Sequence, residues 1–593
     1  MRLGIDFGTT NSAAAVYDGA RLHPITVHNS AILPSLIYVN RQHQAIFGDE
    51  AAEEYLKRET GRGVHWKSRN IGSVEVVVSG KDAPIIYSVP VVVTFDDAAN
   101  GRLLQSVKTA LRLEQYEGTQ IFDRFYTIDE LITLILGDLK RRAEAQFGEV
   151  CDEVVIGRPV KFSDDARISL RAEEIIYKAA RMAGFREIRF AMEPIGALYL
   201  YHINTLERTR VLVFDFGGGT LDLTVAEVGG GQTPNVLATR GVLVGGDDLD
   251  RRIFFSLLKY FGEDPDTGDS LPHDVLEALQ GWQTMPELSR ADYVEVFHRL
   301  RRKAKNPKAI DALHALVTKN LGYSLLRDVE HAKRDLTSRM HTTLQFQHDV
   351  IRIRELLSRP RFEQLIRHEL KAAEQGITDV LNDAGVRAEE IDTVVRTGGS
   401  SLVPAFIEML TRLFGASKLR EIDPLTSVAG GLGVIAHEGG GTRGSYISKY
   451  PDDPCDVTAP HQGYLLRIGE RPYTDRETSV RKLPVALSGL PTLRTIWTER
   501  ESESPDYLRL NLKARSKVYV AYPSAALYLP KWLRDFERQP GSVEIEDEWW
   551  GIKELYLYRK EYEAGEVVLG GCMADGAKGR IDVNYVVSIE QLE

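Results

Sequence analysis

The chain has 593 residues, 43% of them apolar, enough for a large core and for several domains. A formal net charge of −11 excludes the broad basic footprint of a general nucleic-acid binder, and no apolar run approaches the ~20 residues a membrane helix needs. Cys151, Cys455 and Cys572 lack metal-ligand spacing and read as reduced thiols; with the first strand beginning at Arg2 or Leu3 there is no room for a signal peptide, so a cytoplasmic protein is expected.

Leu3–Val16 (LGIDFGTTNSAAAV) reads as an apolar strand ending on Asp6, then a turn through Phe7, Gly8, Thr9 and Thr10. Leu36–Val39 and Val74–Val78 read as strands on either side of the Gly- and charge-rich Glu59–Gly63, and the β-branched Ile85–Phe95 as a further strand pair. Ile128–Phe147 is an amphipathic helix, with Ile128, Leu131, Ile132, Ile135, Leu136 and Leu139 on one face. Asp152–Gly157 is a strand ended by Arg158-Pro159. Ser163 is the expected N-cap of a helix that opens on Asp164 and Asp165 and runs to Gly184. Ile188–Ala191 and Pro194–Ile203 read as strand and helix, the βα alternation of an α/β lobe.

Val211–Val225 (VLVFDFGGGTLDLTV) repeats the opening pattern. An apolar run ends on Asp215, the turn is Gly217-Gly218-Gly219-Thr220, and Leu221, Leu223 and Val225 alternate with Asp222 and Thr224 as in a half-buried strand. Residues without Cβ let the backbone reach φ > 0 and bring its N–H groups close to an anion, while carboxylates alongside suit a hydrated Mg²⁺. Asp6-Phe7-Gly8 and Asp215-Phe216-Gly217 match residue for residue, and Thr10 and Thr220 close the two turns. An ordinary glycine-rich hairpin accounts for either stretch alone. Two copies far apart point to two related lobes facing each other across one nucleotide. No Walker string G-x-x-x-x-G-K-[ST] is present.

Beyond Arg240–Gly246, Asp247–Phe261 reads as helix, Asp264–Pro286 as a Pro/Gly-broken connection, and Tyr293–Thr337 as largely helical with a break at Asn306-Pro307. Thr342–Phe346 is a strand and Pro360–Ala384 a long helix stopped by Gly385. Thr393–Val395 runs into Thr397–Ser401, followed by a helix to Phe414, and Gly430–Ala436 closes this part. Glu438–Gly444 (EGGGTRG) has the composition of a flexible linker. From Ser445 the pattern changes to short strands at Tyr507–Lys513, Lys517–Tyr522, Glu554–Lys560, Glu566–Leu569 and Asn584–Ile589. Trp497, Trp532, Trp549 and Trp550 lie here, and only Lys531–Glu537 suggests a helix, so a β-sandwich is expected.

The motifs resemble the actin-like ATPases, and most closely the DnaK-type heat-shock chaperones, over about Met1–Ala436. The resemblance implies an α/β, two-lobed actin-like fold of two ribonuclease H-like halves, followed here by an all-β sandwich. The boundaries expected are an ATPase domain at 1–437 (lobes at about 1–209 and 210–437, with an inserted helical element at about 264–323), a linker at 438–444 and the sandwich at 445–593. Asp6–Asn11 (DFGTTN) resembles the first phosphate loop, with Gly8, Thr9, Thr10 and Asn11 toward the nucleotide. Asp215–Asp222 resembles the second, with Gly217, Gly218 and Gly219. Ala191–Ala197 (AMEPIGA) is similar to the connecting motif and carries Glu193. Gly245-Gly246-Asp247 and Glu330–Arg334 (EHAKR, with Lys333), together with Thr337, resemble the ribose- and adenine-binding pieces, and Gly398-Gly399-Ser400 the adenosine motif.

By that resemblance Asp6, Glu193 and Asp215 hold a hydrated Mg²⁺, Lys108, Thr10 and Thr220 position the γ-phosphate and the water, and Asp222 assists with metal or water. Lys108 (QSVKTAL) fits the order of the family's catalytic lysine, with Lys67 (HWKSRNIG) as its rival. Leu402 stands where an arginine often stacks on adenine, and Leu425 (EIDPLTSV) where an acidic residue is usual, which implies altered affinity or base preference. The chaperones' apolar-acidic linker and lidded peptide-binding domain are missing after Ala436. Val518–Glu537 with Gly565–Gly571 instead resembles a β-sandwich appended to secreted carbohydrate-active enzymes, its aromatics forming either a ligand or client surface or a packed core.

The function expected is a slow ATP-hydrolysing switch that binds ATP/ADP and Mg²⁺ and closes its lobes on ATP. An unfolded or specific client protein and a co-chaperone or exchange factor are the expected partners, with no nucleic acid and no membrane. The alternatives are a non-catalytic nucleotide-binding scaffold or filament relative and a small-molecule kinase of the same fold.

Overall fold

The computed structural model describes the chain apart from residues 28–29, 79–84, 114–115, 123, 232, 424–425, 444–454, 458–461, 467–471, 474–475, 477, 489, 548–550, 580 and 593. The chain packs as two compact units. One comprises Met1–His65, Asp96–Gly118 and Thr127–Tyr446, the other Trp66–Phe95, Thr119–Tyr126 and Ile447–Glu593.

The first unit contains one sheet order built twice. In the first sheet the strands Leu22–Pro24, Asn11–Tyr17, Arg2–Asp6, Glu153–Arg158 and Glu187–Met192 lie side by side in that order. In the second the order is Asn235–Val242, Leu221–Val228, Thr209–Phe216, Thr393–Thr397 and Leu419–Glu421. In both, three strands run antiparallel through tight turns, and the two that follow are parallel to the innermost one. Parallel neighbours need a crossover, and helices supply it: Ile128–Phe147 and Ala166–Met182 in the first half, Arg367–Ala384 and Pro404–Phe414 in the second. Ile128–Phe147 starts from a reciprocal cap between Thr127 and Glu130, with the expected apolar face buried.

Two helices, Glu193–His202 and Ser427–His437, cross at the centre of this unit, and glycine sets their distance. A Cβ on Gly431 would lie 1.6 Å from the carbonyl oxygen of Gly196, and the same helix packs closely on strand Arg2–Asp6, where a Cβ on Gly4 would lie 2.2 Å from the nitrogen of Gly433.

Several expectations change in this unit. The cap of the Ala166–Met182 helix is Asp165, which accepts from the Arg167 N–H at 2.8 Å, rather than Ser163. Asp264–Pro286 holds a short helix, His273–Ala278. The long helical stretch is three helices, Ala291–Lys303, Pro307–Thr318 and Gly322–Ser338, the second break falling at Asn320 with φ of 52°. Thr342–Phe346 is one arm of a hairpin, His341–His348 with Ile351–Ser358. Pro360–Ala384 is interrupted at Ile366. The segment expected as a free linker folds back, with left-handed glycines at Gly439 and Gly441. Thr442 and Arg443 then pair antiparallel with Phe190 and Arg189 as an extra edge strand, and the Arg189 guanidinium donates to the Gly439 carbonyl.

The second unit is built on a nine-stranded sheet. Its strands are, in order, Gln462–Leu465, Pro491–Arg494, Val586–Gln591, Ser516–Pro523, Gly551–Tyr562, Glu537–Asp547, Thr478–Pro484, Trp66–Val78 and Ile85–Asp96. The last two come from the N-terminal part of the chain. Ser73, Val74 and Glu75 stand opposite Lys482, Leu483 and Pro484 in parallel register. The strands expected at 74–78 and 85–95 therefore complete the C-terminal sheet, and a single strand replaces the expected pair at 85–95.

A three-stranded sheet (Cys455–Val457, Leu508–Leu512, Gly565–Leu569) shares a core with one face of the large sheet. Val518, Val520 and Tyr522 point into that core, while Tyr519 and Ala521 between them join a second core with Val543, Ile545 and Trp497. A strand buried on both faces follows from this alternation. Lys531–Glu537 is not a helix: only the 3-10 turn Lys531–Leu533 forms, and Glu537 begins a strand. Trp532 packs against Tyr585 at 5.3 Å between ring centres, and Trp497 is buried, so these two aromatics serve the core. Trp549 and Trp550 lie outside the described residues. No helix among the described residues is long and apolar enough to cross a membrane.

Candidate functional site

The two hairpins of the first unit end their first strands on aspartates in equivalent places, Asp6 opposite Ala13 and Asp215 opposite Asp222. Buried Phe7, Phe214 and Phe216 anchor them. The second turn is tight, with the Gly217 N–H donating to the Thr220 carbonyl at 3.0 Å. The first needs Gly8, where a Cβ would lie 2.0 Å from the carbonyl oxygen of Asn11, the residue that opens the return strand. The tips meet. A Cβ on Gly218 would stand 2.1 Å from Thr10 Oγ1, and one on Gly219 would stand 2.7 Å from Thr9 Oγ1. Glycines are thus required where the two tips approach.

Glu193 begins the helix that follows strand Glu187–Met192, with Pro194 fixing the first turn. Its carboxylate accepts from Lys108 Nζ, and both side chains are buried. Lys108 sits on the short helix Val107–Ala110, which the chain enters through Ser106 in the left-handed region at φ of 56°. Burial, then the charge of Glu193, pushes the Asp6 carboxyl up to about 7 against the pull of Lys108. Burial and Glu193 likewise raise Asp222 to about 7, offset by its hydrogen bonds from Thr220 and the Val160 N–H. Asp215 is raised well above the usual range by burial and by Glu193, Asp222 and Asp6. Four carboxylates and one lysine make a cluster short of positive charge. No group of three His, Cys, Asp or Glu side chains among the described residues has the spacing to hold a metal ion directly.

Of the remaining predicted pieces, Gly245, Gly246, Asp247, Gly398, Ser400 and Lys333 gather around the second hairpin. The N–H groups of Gly246 and Asp247 donate to the Gly217 and Gly218 carbonyls at 3.0 and 2.9 Å, and Gly245 packs on Gly218. Thr10 Oγ1 reaches Asp247 Oδ1 at 3.4 Å. Gly398, at φ of 78°, lies against Phe216 and Asp215, and after it the Gly399–Leu402 turn carries Ser400, whose hydroxyl donates to the Gly217 carbonyl at 3.0 Å. Lys333 donates to the Gly246 carbonyl at 3.3 Å and to Asp250 at 2.6 Å. Arg334 is exposed and pairs with Glu330 one turn back, and Thr337 donates to the Arg334 carbonyl, all within helix Gly322–Ser338.

Of the two candidate lysines, Lys67 is exposed on strand Trp66–Val78 of the second unit, whereas Lys108 is in the carboxylate cluster. Leu425 lies outside the described residues. Two residues enter that the sequence reading did not single out. Arg112 donates to the Gly219 carbonyl at 2.9 Å, and Asp250 holds Lys333. Asp250 had a spacing signal, one helical turn after Asp247, while Arg112 had only its nearness to Lys108 in the chain.

The sequence model of the Hsp70 protein family matches residues 2–277 and 294–444. The chain belongs to the Hsp70 family. Hsp70 proteins are chaperone ATPases that bind ATP, ADP and client proteins, and the match runs through both hairpins, Glu193, Lys333 and Ser400. Residues 278–293, inside the helical element expected at 264–323, are unmatched. The match ends ahead of the strand-rich C-terminal stretch of this Hsp70-family chain.

Proposed function

We propose that this chain is a slow, Mg²⁺-dependent ATPase whose ATP/ADP state controls a client protein. The reading is carried by the apposed tips of the two hairpins beside the Lys108–Glu193 pair. N–H groups of the Gly8–Asn11 and Gly217–Gly219 turns cradle the phosphates. Gly245, Gly246, Asp247, Glu330, Lys333, Arg334, Thr337 and Gly398–Ser400 hold the ribose and base, with Leu402 altering base preference. The oxygen-only set Asp6, Glu193 and Asp215, lacking the spacing for direct ligation, fits a hydrated Mg²⁺ held through its waters. When bound, that ion supplies positive charge to the phosphate oxygens.

Lys108, Thr10 and Thr220 orient the γ-phosphate and the attacking water, and Asp222 holds that water or the ion's hydration shell. Catalysis of this kind is positioning and charge stabilisation. The ATPase part lies within 1–437; the altered 264–323 rim is where an exchange factor meets it, and the strand-rich unit takes the client.

The test is calorimetric ATP and ADP titration with and without Mg²⁺, paired with turnover in the presence and absence of an unfolded polypeptide. Lys108→Ala should lower turnover by about 100-fold or more while nucleotide affinity stays within a few-fold, because a lysine at the γ-phosphate acts chiefly on charge developing in the transition state. Lys67→Ala should leave both unchanged. The opposite pattern overturns the assignment of the lysine, and absence of nucleotide binding overturns the reading as a whole.

A further inference from the structure

We propose that Arg112 is a second cationic group for the phosphate under transfer, delivered by the same segment as Lys108; this rests on the ATPase reading above. The two stand four positions apart, Lys108 on the short helix Val107–Ala110 and Arg112 in the turn that directly follows it, with its N–H bonded back to the Thr109 carbonyl. Lys108 reaches Glu193, and Arg112 reaches the tip of the second hairpin.

Gly219 marks the place. Its carbonyl accepts from Arg112 Nη2 at 2.9 Å, and a Cβ there would lie 3.1 Å from that nitrogen and 2.7 Å from Thr9 Oγ1. The guanidinium therefore stands where the tips of both phosphate hairpins come together. Among the described residues this is its one hydrogen bond, so most of its five N–H donors remain for an incoming anion. The planar fork matches two phosphate oxygens at once, which an ammonium group does not.

Charge balance calls for such a group. Asp6, Glu193, Asp215 and Asp222 crowd the site against Lys108. Burial lowers the Arg112 pKa while Asp248, Asp222 and Asp247 support its charge, and a guanidinium remains protonated in any case. In the reaction the water oxygen bonds to the γ-phosphorus as the bond to the β,γ-bridging oxygen breaks. The electron pair leaves on ADP, one water proton stays on the phosphate and the other passes to solvent. Arg112 exchanges no proton and stabilises the charge spreading over the γ-phosphate oxygens.

The test uses the full chain with Arg112→Ala and Arg112→Lys, measuring kcat, affinities for ATP and ADP, and thermal unfolding. Arg112→Ala should lower kcat by about 1,000-fold or more, as for other arginines supplied in cis or in trans to a transferred phosphate. It should lower the ratio of ATP to ADP affinity about tenfold and leave ADP affinity and the unfolding temperature in place. Arg112→Lys should recover little, and free guanidinium should restore part of the Arg112→Ala turnover. A merely structural latch on Gly219 predicts a joint loss of ATP affinity, ADP affinity and stability, and that pattern overturns the proposal. So does an unchanged kcat in a chain that turns over. If the unaltered chain binds nucleotide without turnover, the ATPase reading fails, and the ATP-to-ADP ratio alone decides whether Arg112 touches the γ-phosphate.

Discussion

Lys333 and Asp250 form a half-buried pair in which the two oxygens of one carboxylate fare differently. Oδ2 accepts from Lys333, while Oδ1 is buried without a hydrogen-bond partner. Burial therefore outweighs the lysine, and the Asp250 carboxyl is pushed up to about 7 from its ordinary 3.8. Between those values the folded chain binds more protons than the unfolded one, so this group's contribution to stability falls as pH rises through that window. Asp6, Asp222 and Asp247 pull in the same direction. The nucleotide-free protein should then unfold at a higher temperature at pH 5.5 than at pH 8, and Asp250→Asn should flatten that difference. Scanning calorimetry at the two pH values checks it, and an unchanged slope in the variant would show that Lys333 fully compensates the burial.

The crossing of Glu193–His202 with Ser427–His437 depends on missing side chains. At Gly431 any Cβ meets the Gly196 backbone, which cannot swing aside as a side-chain end can. Gly431→Ala should cost about 1–3 kcal/mol through overpacking. Gly137, in the middle of helix Ile128–Phe147, is the contrast: a Cβ there has only the Ala183 Cβ nearby, at 4.0 Å. Gly137→Ala should stabilise by about 0.5–1 kcal/mol through the lower entropy of the unfolded chain. Urea unfolding of the two variants separates the cases, and equal effects would mean that the crossing yields at little cost.

At the scale of the molecule, the C-terminal unit draws on three separated stretches, Trp66–Phe95, Thr119–Tyr126 and Ile447–Glu593. A fragment spanning only the last exposes the edge of Thr478–Pro484 that Trp66–Val78 covers in the whole chain. An uncovered strand edge is a template for pairing with another copy. The fragment 447–593 should therefore self-associate and exchange the amide hydrogens of Thr478–Pro484 quickly, and fusing residues 66–95 to its start should restore protection. Light scattering with hydrogen exchange measures both. A monomeric fragment with slow exchange at this strand would show that the hairpin is an accessory to the sheet and unnecessary for its fold.

The amphipathic face of Ile128–Phe147, the alternation along Lys517–Tyr522, and the paired hairpins with their glycine turns were all legible in the amino-acid sequence. Each depends on spacing within a few residues, and the duplication of Asp-Phe-Gly already pointed to two related lobes. Lys67 and Lys108 look alike by that measure. Only packing separates them, because the Glu193 that receives Lys108 lies 85 positions along the chain. The same holds for Arg112, whose partner is a backbone carbonyl in the other half, and for Thr442 and Arg443, whose glycine-rich surroundings read as linker until a strand edge accepts them. More non-local than these is the pairing of Ser73–Glu75 with Lys482–Pro484. β-branched composition identifies a strand, but composition carries no partner. The partner is the sheet edge that the tertiary structure leaves beside that strand, and only the tertiary structure holds that information.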